Sequence, residues 1–127
     1  MEFQSNIPIY LQLIDMVKLQ IVSGTLKPGE KLKSVRELAM EHGVNPNTMQ
    51  KALCIIEEEG LLVTLSTQGW IVTEDLALIE KARVGCQRKQ LDSFIARAKE
   101  LSITKEQFIE YVEKGWNENE KDTADDY

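Results

Sequence analysis

The chain has a single histidine and two cysteines among its 127 residues. One imidazole cannot supply a paired-histidine metal site, and Cys54 and Cys86 lie too far apart for a short metal-binding or redox spacing. No glycine-rich phosphate loop is present, and no nucleophile has a base at a recognised spacing. The residues therefore point to no enzyme, no metal and no cofactor. No uninterrupted apolar run approaches the ~20 residues of a bilayer-spanning helix. The opening Met-Glu-Phe-Gln-Ser-Asn lacks a basic n-region and an apolar h-region, so the expectation is a cytoplasmic protein with no membrane partner.

Hydrophobic residues make up 43% and charged residues 28%, a globular composition, in a chain with room for one domain and an appendage. The net charge of −6 is unevenly distributed. Residues 1–51 carry six Lys/Arg and five Asp/Glu, whereas residues 52–127 carry nine and sixteen. Phosphate attraction depends on local rather than total charge, and Lys27, Lys31, Lys33, Arg36 and Lys51 form a modest basic supply in the first half.

Lys33 to Lys51 reads as two short helices around a tight turn. Ser34 and Glu37 have capping-box spacing, in which Glu37 would reach back to the cap backbone N–H, and Val35, Leu38 and Ala39 form the apolar stripe behind them. Gly43 supplies the left-handed residue that ends the first helix, and Asn45-Pro46 opens the second as N-cap and first helical residue. In that second helix Met49, Leu53 and Ile56 face inward, leaving Asn47, Gln50 and Lys51 outward near its N-terminal end. Asn and Gln can pair with an adenine edge, Lys51 can reach guanine or phosphate, and Thr48 can bond a phosphate beside the helix N-terminus. Capping and solubility alone would also account for these residue types.

Upstream, Asn6 and Pro8 start a helix running to about Ser23, with Ile9, Leu13, Met16, Val17 and Ile21 as its apolar face. Gly24 to Leu32 reads as a turn or a short edge strand. Downstream, Glu57, Glu58 and Glu59 read as a solvated helix end before Gly60. Leu61 to Leu65 and Trp70 to Thr73 flank Ser66-Thr67-Gln68-Gly69 as a small β-hairpin. Three helices followed by a hairpin make a winged helix-turn-helix, with the hairpin tip as the wing.

The order of elements and several spaced motifs together resemble the N-terminal domain of the GntR family of bacterial transcription regulators. The matching residues are Pro8-Ile9-Tyr10, Gly24-x-Leu26-x-Pro28-Gly29-Glu30-Lys31-Leu32, Ser34-Val35-Arg36-Glu37-Leu38-Ala39, Val44-Asn45-Pro46-Asn47-Thr48 and Glu57-x-Glu59-Gly60-Leu61. They span residues 7–73, and the short acidic remainder resembles the YtrA-like subfamily. The resemblance implies double-stranded DNA as partner, contacted by Lys33, Ser34, Arg36, Asn45, Asn47, Thr48, Gln50 and Lys51, with Ser66, Thr67, Gln68 and Gly69 on the wing. It further implies a repressor of neighbouring transporter genes. The chain departs from the family at three places. Lys33 replaces a usual proline, the wing keeps only the second glycine of Arg-Gly-x-Gly-x-Phe, and His42 stands where a leucine is usual. Loss of the wing arginine leaves an alternative, a winged helix that has turned to protein contacts.

The second half reads as two helices. Leu76, Ile79, Ala82 and Cys86 form one apolar stripe, and Leu91, Phe94, Ile95, Ala98 and Leu101 a second, out of phase with the first, with a bend or face change expected near residues 85–90. Thr104 to Gln107 is another capping box, and Phe108, Ile109, Val112 and Trp116 follow as the inward face of a last helix. The expected domains are 1–74 for DNA binding, 75–116 for helical dimerisation and 117–127 as a disordered acidic tail. Such a hairpin cannot bury both stripes alone. Either the chain's own winged helix or a second copy must cover the rest, and a homodimer would also double the small basic patch and select an inverted repeat. The tail is too short for an ordinary ligand cavity, so a small-molecule effector would bind between subunits or between the tail and the winged helix. Cys54 falls roughly 20° from Asn47 around the second helix, where an exposed thiol would be open to oxidation.

Overall fold

The structure is a computed structural model and describes residues 3–65 and 69–125, with side chains described as far as Glu118. Its elements in chain order are α1 (Ile9–Val22), α2 (Val35–His42), α3 (Pro46–Glu58), β1 (Leu62–Leu65), β2 (Gly69–Val72), α4 (Leu76–Glu100) and α5 (Lys105–Asp125). The chain is thus mainly helical with one antiparallel hairpin, as expected. It forms two compact units, Met1–Cys86 and Gln87–Tyr127.

In the first unit Pro8 occupies the cap position of α1, where its missing N–H costs no hydrogen bond. Leu13, Val17 and Ile21 project from α1 into a core completed by Met49, Ala52, Leu53 and Ile56 of α3. Leu61, Leu62 and Val72 close it from the hairpin side. Each such large side chain contributes about 1.5–3 kcal/mol by leaving water, so this layer dominates the folding of the unit. A salt bridge of 2.8 Å from Lys18 to Glu59 further ties α1 to the end of α3.

The hairpin pairs Leu62 with Val72, Val63 with Ile71, Thr64 with Trp70 and Leu65 with Gly69. The segment before α2 adds to its other edge. Leu32 N–H donates to Trp70 O and Val72 N–H to Glu30 O, both at 2.9 Å. The short edge strand expected between Gly24 and Leu32 therefore exists as a bridge, Lys31 opposite Ile71, that fixes the hairpin to the helical core.

Asp75 caps α4 by accepting the Leu78 N–H at 3.1 Å. The first turns of α4 belong to the first unit. Ile79 is buried with the core, Ala82 packs against it, and Arg83 Nε donates to the Val22 carbonyl at 2.9 Å, satisfying a C-terminal carbonyl of α1. The compact unit consequently extends past residue 74. Gly85 does not break α4, which is one helix of 25 residues. Each part of α4 buries its own residue, Ile79 in the first unit and Ala98 in the second.

The second unit turns at Ser102, whose φ of 59° is left-handed, and Ile103 N–H closes the end of α4 on Ala98 O at 3.0 Å. Thr104 and Gln107 then form the expected reciprocal capping box, at 3.0 and 3.1 Å. The disordered tail expected from Asn117 is instead helical, since α5 continues to Asp125. That stretch contains no glycine or proline to stop a helix already nucleated at Thr104.

Candidate nucleic-acid interface

Gly43 sets the angle between α2 and α3. Its φ of 65° is left-handed, and Val44 N–H donates to Ala39 O at 3.0 Å. Asn45 caps α3, its Oδ1 accepting the Asn47 N–H at 2.8 Å, and Pro46 follows as first helical residue. The cap oxygen of Asn45 is therefore used within the protein, which leaves its amide NH2 for a partner. Ser34 is engaged in the same way: its hydroxyl accepts Glu37 N–H at 3.2 Å and donates to Glu37 Oε1 at 3.0 Å. The Glu37 carboxylate thus takes the Ser34 hydroxyl rather than its backbone N–H, a correction to the capping box expected there.

With Met49, Ala52, Leu53 and Ile56 buried on one side of α3, the opposite side presents Asn47, Gln50 and Lys51 to solvent, with Thr48 half-buried beside them. Arg36 is exposed on the first turn of α2. These residues occur together because the 3.6-residue period that buries the core forces the polar positions outward. Two of the cations are already engaged. The Lys33 ammonium is paired with the Glu41 carboxylate, and the Lys51 Nζ lies 3.9 Å from the centroid of the Tyr10 ring. Neither Glu41 nor Tyr10 was picked out from the sequence as part of this surface. Tyr10 stands in the Pro8-Ile9-Tyr10 motif and could have been noticed there, whereas nothing in the spacing marks Glu41.

On the wing, Gly69 is exposed with φ 79°, while Ser66, Thr67 and Gln68 lie outside the described residues. His42, which stands where a leucine is usual, is half-buried at the end of α2, and Cys54 is half-buried. The three glutamates at the end of α3 differ from one another. Glu58 and Glu59 are exposed, but Glu57 Oε2 is buried without a hydrogen-bond partner, contrary to a uniformly solvated face.

The residues expected to dimerise fall into two groups. Ile79 and Ala82 pack into the first unit and Cys86 is half-buried at its end, so this stripe is mostly covered within one chain. Leu76, Leu91, Phe94, Ile95, Leu101, Ile109, Val112 and Trp116 are exposed, Phe108 is half-buried and Ala98 is buried. Among the described residues no group of three side chains is placed to hold a metal ion, and no helix is long and apolar enough to cross a membrane.

Comparison with known proteins agrees with this geometry. The sequence profile of the bacterial regulatory proteins of the gntR family matches residues 9–72. The HTH-type transcriptional repressor YtrA of Bacillus subtilis is 34% identical over 112 residues, covering 87% of this chain and 86% of YtrA. A GntR family transcriptional regulator from Listeria monocytogenes superposes with a TM-score of 0.80 at 38% identity, covering 88% of this chain and 98% of its own. The DNA-binding domain of AraR, solved in complex with operator ORR3, matches 57% of this chain and 86% of its own with a TM-score of 0.51 and 29% identity.

Proposed function

Because the chain belongs to the GntR family of bacterial regulatory proteins and is a DNA-binding transcription regulator, we propose that it is a cytoplasmic repressor that binds an inverted-repeat operator as a homodimer. The observation that carries the reading is the outward face of α3, where Asn47, Gln50 and Lys51 stand opposite the buried Met49 and Leu53. A helix presenting this face behind a left-handed glycine turn enters a major groove with its N-terminal residues toward the bases. In this reading Gln50 and Asn47 read base edges. Arg36, the Asn45 amide, Thr48 and the wing at Gly69 contact the backbone.

The second unit supports homodimerisation. Phe94 and Trp116 are 59% and 67% exposed, and Leu91 and Leu101 also stand in water. A second copy removes this apolar surface from solvent and places two reading helices on one operator, compensating for the few cations that each copy brings. The likeness to YtrA supports repression, and the YtrA-like resemblance supports transporter genes as targets.

The test begins with selection of duplexes from random-sequence DNA by the purified protein, which should enrich an inverted repeat bound in a salt-sensitive way. On that duplex Gln50→Ala should lose about 1–3 kcal/mol of discrimination at the base it reads while keeping the salt slope. Arg36→Ala should weaken binding to all sequences alike and reduce the slope by about 1. Enrichment of no sequence would refute the reading.

A further inference from the structure

We propose that Tyr10 is a positioning residue for DNA binding. Its ring, carried on α1, aims the Lys51 ammonium at the sugar-phosphate backbone beside the reading helix rather than at a base edge. The inference rests on the reading of α3 as the DNA-contacting helix and deepens it.

Helix geometry places Lys51 on the side of α3 away from the core, one turn beyond Asn47. Its ammonium nevertheless lies 3.9 Å from the centroid of a ring on α1, the helix that packs against the buried side of α3. The lysine stem therefore bends from the middle of the exposed face toward the α1 flank. In a groove, the middle of that face meets base edges, and its flank meets the phosphates of the groove wall.

The platform is fixed. Tyr10 is half-buried and packed against the core, three residues before the fully buried Leu13, and the salt bridge of Lys18 to Glu59 ties the same helix to α3. An ammonium within about 6 Å of a ring centroid is held by the negative face of the π-system. This partner differs from the one Lys33 has. A carboxylate opposes the phosphate for the ammonium, whereas a neutral ring orients the ammonium and leaves its full charge for the phosphate. The hydroxyl plays no part, so phenylalanine should serve in place of tyrosine.

The experiment uses the full chain and a duplex selected by the wild-type protein, with binding measured by fluorescence anisotropy at several salt concentrations for wild type, Tyr10→Phe, Tyr10→Leu, Lys51→Ala and the Tyr10→Leu/Lys51→Ala double variant. Tyr10→Leu should weaken binding several-fold at every sequence, and phenylalanine should restore most of that loss. Lys51→Ala should flatten the slope of log affinity against log salt by about 0.9. The double variant should bind no more weakly than Lys51→Ala alone, because Tyr10 acts only through that ammonium. In the free protein, an upfield ring-current shift of the Lys51 side-chain protons should be present in wild type and persist in Tyr10→Phe, reporting directly that the lysine stem lies over the ring.

Additive losses in the double variant, failure of phenylalanine to restore binding, or a Lys51→Ala defect confined to one base position would each overturn the inference while leaving the regulator reading in place. Selection of no duplex by the wild-type protein would overturn both.

Discussion

The Lys33 ammonium, one residue before the α2 cap, is paired with the carboxylate of Glu41 in the last turn of that helix. The hydrogen bond and then the charge of Glu41, with a smaller contribution from Glu37, hold the Lys33 ammonium above the ordinary lysine value of 10.5. A raised folded-state value means that the pairing contributes fully below 10.5 and is lost only as pH rises through the raised value. Around neutrality Lys33 is therefore a fixed cation. What varies is its partner, since a phosphate that recruits Lys33 must compete with Glu41.

Glu41→Gln should consequently tighten DNA binding. An exposed pair of this kind is weak, so the affinity should rise by no more than a few-fold and the salt dependence should steepen. Titration of the Lys33 side chain by NMR should show its value falling back toward 10.5 in the variant. Unchanged or weakened DNA binding in Glu41→Gln would remove Lys33 from the interface.

Two glycines should respond in opposite ways to the same substitution. At both, a Cβ would meet nothing within 4 Å, so only the backbone decides. Gly43 is left-handed at φ 65°, and Gly43→Ala should destabilise the first unit by about 1–2 kcal/mol. Gly85 lies inside α4, and Gly85→Ala should stabilise that helix by roughly 0.8–1.0 kcal/mol. Urea denaturation of the two variants separates these effects. Equal shifts of the midpoint would contradict the turn geometry.

The two glycines also show what the sequence could reveal. Gly43 was legible because a cap signal at Asn45-Pro46 follows it, and one local conformation satisfies both. Gly85 left a bend or a face change open, and only the bend is excluded, because α4 runs unbroken through it. The faces of α1 and α3 were readable for the same local reason, through their period. Side-chain partnerships across elements were not. Tyr10 and Lys51 are 41 positions apart, and the bond from Arg83 to Val22 spans 61. Helical period carries no information about which flank of one helix another will cover. The first stripe of α4 was half legible: its apolar residues were evident, but periodicity could not reveal that Ile79 and Ala82 would pack into the first unit.

This division of α4 leads to a prediction about assembly. Since Ile79 and Ala82 are covered within one chain, the proposed dimer contact must rest on the exposed residues of the second unit, with Phe94 among the largest. Replacing it by glutamate places a charge where a partner surface would have to desolvate it, at a cost well above the loss of apolar contact alone. Because Phe94 is 59% exposed in the single chain, the fold of the monomer should tolerate the change. Sedimentation should find the wild type dimeric at micromolar concentration and Phe94→Glu monomeric, with unchanged helical circular dichroism. Affinity for an inverted repeat should then fall sharply while affinity for an isolated half-site stays the same. A wild-type protein that sediments as a monomer, or a Phe94→Glu variant that remains dimeric, would place the contact elsewhere or remove it.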